Sequence, residues 1–242
     1  MNIKHNLITP KYSKNNIFLR EIKSFVIRRK KLNKSQILAI KNFWMRYCIS
    51  FKDSIIDLNT IFNEKLPIVL DIGFGSGKAL IDMASKNSNL NFLGIEVYLP
   101  GIVSSLKLAH KLNLKNLKFI YHDAVEVIQY MIASNTIFKI ILFFPDPWSK
   151  KKHHKRRIFT DIFITLISKK LINNGILHVV TDCKSYANDI IKKIKSLKKN
   201  NHLIMQYYFI NKPYYRLTTK FESRGIALGN IIFDLIFLNT IF

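Results

Sequence analysis

Asp146 stands between Pro145 and Pro147, next to Trp148, at the end of the apolar run Ile140-Ile141-Leu142-Phe143-Phe144. Each proline fixes its own φ and restricts the residue before it, so this carboxylate is set on a short, stiff exit from a buried strand. There it can accept hydrogen bonds from a bound base or place negative charge beside one. The chain then turns cationic, through Lys150, Lys151, Lys152, Lys155, Arg156 and Arg157, with His153 and His154 among them. Clustered cations grip phosphate backbones with little regard to sequence. A reactive pocket beside a polyanion grip suits an enzyme acting on a nucleic-acid base, provided a cofactor site exists elsewhere in the chain. The histidine pair lacks further ligands at metal-binding spacing, so no metal is expected and both join the nucleic-acid contacts. The competing reading is a rigid strand-exit turn with a structural indole, followed by a solvated cationic loop.

A cofactor site is written at the first strand, Val69-Leu70-Asp71-Ile72-Gly73-Phe74-Gly75-Ser76-Gly77. Glycines there let backbone approach a ligand at the carboxyl edge of an open α/β sheet. The dinucleotide fingerprint fails because Lys78 replaces its third glycine, and the phosphate loop fails because Ile72 and Ala79 replace its first glycine and its hydroxyl. The remaining acid-x-G-x-G-x-G pattern resembles the first motif of S-adenosylmethionine-dependent methyltransferases. Asp71 can serve the ammonium of a methionine moiety, Glu96 can accept both ribose hydroxyls, and Asp123 can receive an adenine amino group. Taken alone, each acid is more often a helix N-cap than a ligand contact. Three at successive strand ends, with Gly73 and Gly75, read together as cofactor-binding.

These residues need a scaffold, and the sequence predicts one. Strands are expected at Ile68 to Ile72, Asn91 to Glu96, Leu117 to Tyr121, Lys139 to Phe144 and Ile176 to Thr181. Helices are expected near Ser76 to Lys86, Leu99 to Leu112, Val125 to Ala133, Ile158 to Leu171 and Tyr186 to Leu197. Such alternation implies a doubly wound, mostly parallel α/β sheet. His202 to Ile210 and Ile231 to Leu238 add an antiparallel C-terminal hairpin, giving seven strands. Before the sheet, residues 1–19 are expected to be a flexible tail. Residues 20–66 follow as a basic arm and docking helix, in which Asn33 and Gln36 form a capping box and Ile37, Ile40, Phe43, Trp44 and Tyr47 form the apolar stripe. Residues 67–242 form the main domain.

Composition agrees. The 242 residues are 48% hydrophobic, enough for a full core, and 39 Lys+Arg against 15 Asp+Glu leave a net charge of +24. Such a surplus points to nucleic acid or an anionic membrane, although an AT-rich genome would inflate lysine everywhere, so only the clustered cations carry weight. Cys48 and Cys183 are too few for a disulfide framework, no apolar run reaches about 20 residues, and the N-terminus lacks a secretory stretch. A soluble, cytoplasmic protein without a membrane partner is expected. Nothing in the sequence chooses between monomer and homodimer.

The segments LDIGFGSG, FLGIEVYLPGI, HDAVEV, FFPDPWSKKKHHKRR, TDCKSYA and TTKFESRG occur here in the order seen in bacterial TrmB-type tRNA (guanine-N7-)-methyltransferases, and the chain resembles that family from about Arg20 to its end. The resemblance implies a class I, Rossmann-like methyltransferase fold, S-adenosylmethionine as donor, and the guanine at position 46 of the tRNA variable loop as acceptor. Matched motif by motif, it implies that Asp71, Glu96, Asp123 and Asp146 contact the cofactor and that Asp146 is also catalytic. Lys150, Asp182, Thr219, Lys220, Phe221 and Glu222 would hold the substrate, and Lys152, His153, His154, Lys155, Arg156 and Arg157 would touch RNA. Asp182 could read the guanine's amino edge or cap the next helix. Thr219 to Glu222 could be a loop folding over the base or a plain hairpin connection. Where family members often carry a Gly-Arg pair, this chain has Lys30-Lys31, and lysine does not reproduce a bidentate arginine grip. Asp-Pro-Pro-Tyr motifs of amino-methyltransferases are a partial match to Asp146-Pro147-Trp148, which leaves an exocyclic amine as an alternative acceptor.

Overall fold

A computed structural model describes residues 7, 9–10, 22–27, 31–197, 202–209 and 216–240. Eight strands among the described residues form one sheet: β1 (Cys48–Ile49), β2 (Ile68–Ile72), β3 (Asn91–Glu96), β4 (Leu117–Tyr121), β5 (Ile137–Phe143), β6 (Leu171–Thr181), β7 (Leu203–Phe209) and β8 (Phe233–Asn239). Their order is β1-β4-β3-β2-β5-β6-β8-β7. Every pairing from β1 to β6 is parallel, whereas β8 lies antiparallel between β6 and β7. After the edge strand β1, the chain enters the middle of the sheet at β2, runs outward through β3 and β4, and returns to the other side of β2 as β5. The strand order therefore reverses between β2 and β5, which opens a crevice at the carboxyl edge.

Period-two alternation fills both faces of the sheet. Leu70, Leu93, Ile140 and Leu177 turn toward α5 (Ala124–Tyr130), α6 (Asp161–Lys170) and α7 (Lys184–Ser196). Val69, Phe92, Phe119 and Ile141 turn toward α1 (Lys34–Tyr47), α3 (Lys78–Lys86) and α4 (Leu99–Lys111). The expected capping box opens α1: Asn33 accepts from Gln36 N, and Gln36 Oε1 accepts from Asn33 N. Ile40, Trp44 and Tyr47 are buried as the stripe requires, and the Tyr47 hydroxyl donates to the Ala109 carbonyl of α4 at 3.2 Å. Ile37, expected in that stripe, is exposed, and Ala39 takes a buried place instead.

Three further elements differ from expectation. The sheet has eight strands rather than seven because the two residues after α1 pair with β4, too short a run to show periodicity. A short helix, α2 (Leu58–Phe62), precedes β2. The segment expected as a loop or hairpin connection contains α8 (Lys220–Ala227). Of the expected tail, Leu7 is buried, and its carbonyl accepts from Asp123 N at 3.0 Å. Residues 1–6, 8, 11–21 and 28–30, and with them part of the basic arm, lie outside the described residues, as does Ile210 of the expected strand. No helix among the described residues is long and apolar enough to cross a membrane.

Candidate active site

At the crevice, β2 delivers the glycine turn. Gly73 and Gly75 have φ of 72° and 60°, the left-handed region that side chains with a Cβ disfavour. A Cβ on Gly101 would sit 2.0 Å from the Gly75 carbonyl oxygen, so α4 rests directly on the turn. Glu96, ending β3, ties the turn to its neighbour: Oε2 accepts from Gly75 N at 2.7 Å, and Oε1 accepts from Val97 N and Tyr98 N. Burial raises the Glu96 pKa, these amides oppose the rise, and the charge of Asp146 adds to it. Asp71 is 4% exposed at the end of β2. Burial, and then the neighbouring Glu96 charge, push its carboxyl up to about 8. It stands behind the turn and does not line the cavity wall.

Asp123 is the helix N-cap that its residue type allows, and it also borders the cavity. Its carboxylate caps α5 through Val125 N and pairs with Lys23 Nζ at 3.0 Å. Lys23 also reaches Glu126 at 2.9 Å, and Glu126 accepts from the backbone and hydroxyl of Thr9 and pairs with His122. Burial alone would raise Glu126, but these bonds hold it at about 2. This clamp lays Ser24, Phe25 and Val26 along the cavity. Lys23 and Glu126 escaped the sequence reading because an ion pair spanning about a hundred residues leaves no local pattern.

The loop after β5 carries Asp146, exposed and lining the same cavity. Phe144 and Trp148 bracket it with φ of 52° and 47°, a costly conformation for bulky side chains. Trp148 Nε1 donates to the Ser24 carbonyl at 3.3 Å, joining this loop to the N-terminal segment. A 3₁₀ helix follows at Lys151–Arg156. Lys150, Lys151, Lys152 and Lys155 are exposed, His153 lies edge-on to Trp148, and the Arg156 guanidinium sits 4.9 Å from the Trp148 ring centroid. Arg157 departs from its expected RNA contact. It is 4% exposed and turned inward, donating to the Pro147 carbonyl at 2.9 Å and to Asp189 at 3.1 Å.

Across the cavity, α8 places Lys220 and Phe221 on the wall, with Phe221 stacked near Phe144 at a centroid distance of 6.5 Å. Thr219 and Glu222 form a capping box at the start of this helix. Glu222, expected to touch substrate, is 1% exposed and bound on both oxygens by Arg216, whose guanidinium also forks onto Asp234 of β8. Its carboxylate therefore fixes the helix and does not face the cavity. Asp182 accepts from Asn230 Nδ2 at 3.1 Å and lies against Gly225 of α8, where a Cβ would come within 2.9 Å of its Oδ2. It neither N-caps α7, whose N-cap is Cys183, nor lines the cavity wall.

The cavity measures about 1030 Å³, large enough for a nucleoside-sized ligand and part of a second molecule. Two buried carboxylates whose charges repel, Asp71 and Glu96, flank a glycine turn, and a third, Asp146, acts on Glu96. That donor set suits a ligand with a cationic amino-acid end and hydroxyls. S-adenosylmethionine has both.

Residues 65–235 match the protein family described as "Putative methyltransferase". The chain is 48% identical over 235 residues to a tRNA (guanine-N(7)-)-methyltransferase of Buchnera aphidicola subsp. Schizaphis graminum, covering 97% of this chain and 98% of that one. It is 41% identical over 233 residues to the protein of the same name from Yersinia pestis (strain Pestoides F), covering 96% and 98%. Among solved structures, the 16S rRNA methyltransferase KamB aligns with a TM-score of 0.56 at 12% identity over 76% of this chain and 94% of that one. A 30S ribosomal A1408 methyltransferase from an uncultured bacterium aligns at 0.51 and 18%, over 76% and 95%. These structural likenesses establish the fold.

Proposed function

The chain belongs to the bacterial tRNA (guanine-N7-)-methyltransferases, and on that premise we propose that it transfers a methyl group from S-adenosylmethionine to N7 of the guanine at position 46 in the tRNA variable loop. The observation that carries this reading is the position of Asp146. It lines one cavity with Gly73, Gly75 and Glu96, and a run of exposed cations begins four residues on, at Lys150.

Asp71 and Glu96 would hold the cationic and hydroxyl-bearing ends of the cofactor, with Asp123 near the base. When bound, S-adenosylmethionine supplies an electrophilic sulfonium methyl. Guanine N7 carries an in-plane lone pair and no proton, so the protein's task is positioning rather than proton abstraction. Asp146 accepts hydrogen bonds from the base or the cofactor and sets negative charge where the purine becomes positive. Phe221 and Phe144 offer aromatic faces on which a base can stack. Lys150, Lys152 and Lys155 bind the tRNA backbone and bring the variable loop to the cavity mouth. Residues 67–242 then form the catalytic domain, and residues 20–66 form the arm and docking helix.

Incubation of purified protein with labelled S-adenosylmethionine and unmodified tRNA, followed by digestion to nucleosides, should yield 7-methylguanosine. Absence of that nucleoside would refute the reading, and methylated adenosine would turn it toward an amino acceptor. Asp146→Ala should lower kcat by about 10²–10³ while tRNA affinity stays near that of the wild type.

A further inference from the structure

We propose that Arg157 is a positioning residue for Asp146, acting through the Pro147 carbonyl; this rests on the role given to Asp146 above. The loop from Phe144 to Trp148 holds two bulky residues at positive φ. Backbone in such a conformation persists only where its surroundings over-determine it. Phe144 N is fixed at one end by the Val180 carbonyl of β6 at 2.7 Å. At the other end stands the buried Arg157, whose Nε donates to the carbonyl of the residue next to Asp146.

The guanidinium is itself held on three sides. Nη1 donates to Asp189 Oδ2 at 3.1 Å, Nη2 lies 3.1 Å from His154 Nε2, and the group stacks 4.6 Å from the Tyr186 ring centroid. Asp189 and Tyr186 belong to α7, whose inner face of Tyr186, Ala187, Ile190 and Ile194 is buried in the core. The path therefore runs from a rigid helix through a planar fork to the peptide beside the carboxylate. Only arginine fits it, because a lysine ammonium lacks the fixed geometry needed to donate to Pro147 and Asp189 while stacking on a ring. The exposed lysines of the same run are left to meet phosphate.

Arg157→Lys separates this role from an RNA contact, since lysine keeps the charge and loses the fork. Expected is a fall in kcat of about 10- to 100-fold, with the KM for tRNA within about twofold and an unchanged slope of affinity against salt. A KM raised about tenfold and a salt slope reduced by about 1, with kcat intact, would overturn the proposal. Asp189→Asn, at a partly exposed position, should lower kcat about threefold in the same pattern by loosening the fork. Loop order is read independently of catalysis by acrylamide quenching of Trp148 fluorescence in a Trp44→Phe background, these being the chain's two tryptophans. Arg157→Lys should increase quenching, and unchanged quenching would count against the proposal. If wild-type protein makes no 7-methylguanosine the proposed function fails, whereas the quenching comparison still reports whether Arg157 holds the loop.

Discussion

Two pairs of buried carboxylates, Asp71 with Glu96 and Glu222 with Asp234, are built in opposite ways. Burial pushes Asp71 and Glu96 both upward, and the Glu96 charge raises Asp71 further. Glu222 and Asp234, 1% and 0% exposed, share the single guanidinium of Arg216, which binds each through two nitrogens. Burial would depress Arg216, but its two partners outweigh that and raise it. A buried charge is costly unless paired, so the second cluster is complete in itself, whereas the first, on the function proposed above, would take its cation from a bound ligand. On that reading the first would be a receptor, and the second is a girder that sets α8, with Phe221 and Lys220, against the cavity.

Removing the cation from the girder gives the largest expected effect. Arg216→Met should destabilise the fold by about 3–5 kcal/mol, because Glu222 and Asp234 remain buried without the cation they share. Urea unfolding measures this directly, and a midpoint equal to that of the wild type would erase the distinction between the clusters. The receptor should respond in the reverse sense. Asp71→Asn removes a group that burial already disfavours as an anion, so its unfolding midpoint should match or exceed that of the wild type. Its affinity for S-adenosylmethionine should fall about 10- to 100-fold by loss of a charge-assisted contact, as titration calorimetry would show. Loss of stability with affinity preserved would make Asp71 structural after all.

The receptor should also couple binding to protons. A folded pKa of about 8 against an ordinary 3.8 means that Asp71 is largely protonated at neutral pH. The native state then binds more protons than the unfolded chain between those values, so the contribution of this group to stability declines as pH rises through that window. A cationic ligand lowers the pKa again. Binding near pH 7 should therefore release up to about one proton, and affinity should rise with pH until about 8 and then level. Calorimetry in buffers of different ionisation enthalpy counts the proton, and Asp71→Asn should abolish the release.

The placement of the first cluster was legible in the sequence and the girder was not, for a physical reason. Asp71, Gly73, Gly75, Glu96 and Asp123 sit at strand ends, where a local pattern of strand, turn and acid fixes position; β2, β3 and β4 begin and end where expected. Asp146 was legible through its prolines. Arg216, Asp234 and Lys23 act through pairings that only the tertiary fold creates, and nothing beside them in the chain announces a partner. Glu222 and Arg157 lie inside recognisable motifs, yet burial decided what they do. In a segment as basic as residues 150–157, the sequence shows charge but not which side chain turns inward. The helix α8 is hidden in the sequence because its capping residues, Thr219 and Glu222, are polar groups of the kind that also hold a substrate.

The smallest effect tests whether the girder is a single unit. The Thr219 hydroxyl accepts from Glu222 N at 3.1 Å, while Glu222 Oε2 accepts from Thr219 N at 3.1 Å and also from Arg216. Thr219→Ala removes one half of this box and should cost about 1 kcal/mol. The carboxylate stays in place because Arg216 still holds it. In the Arg216→Met background the same substitution acts on a helix end whose glutamate is no longer anchored, so less remains to lose. The double variant should then be less destabilised than the two single costs added together, with a coupling of at least about 0.5 kcal/mol. Strict additivity would mean that the cap and the arginine fork hold α8 independently, and the contrast with the receptor would then rest on Arg216 and Asp234 alone.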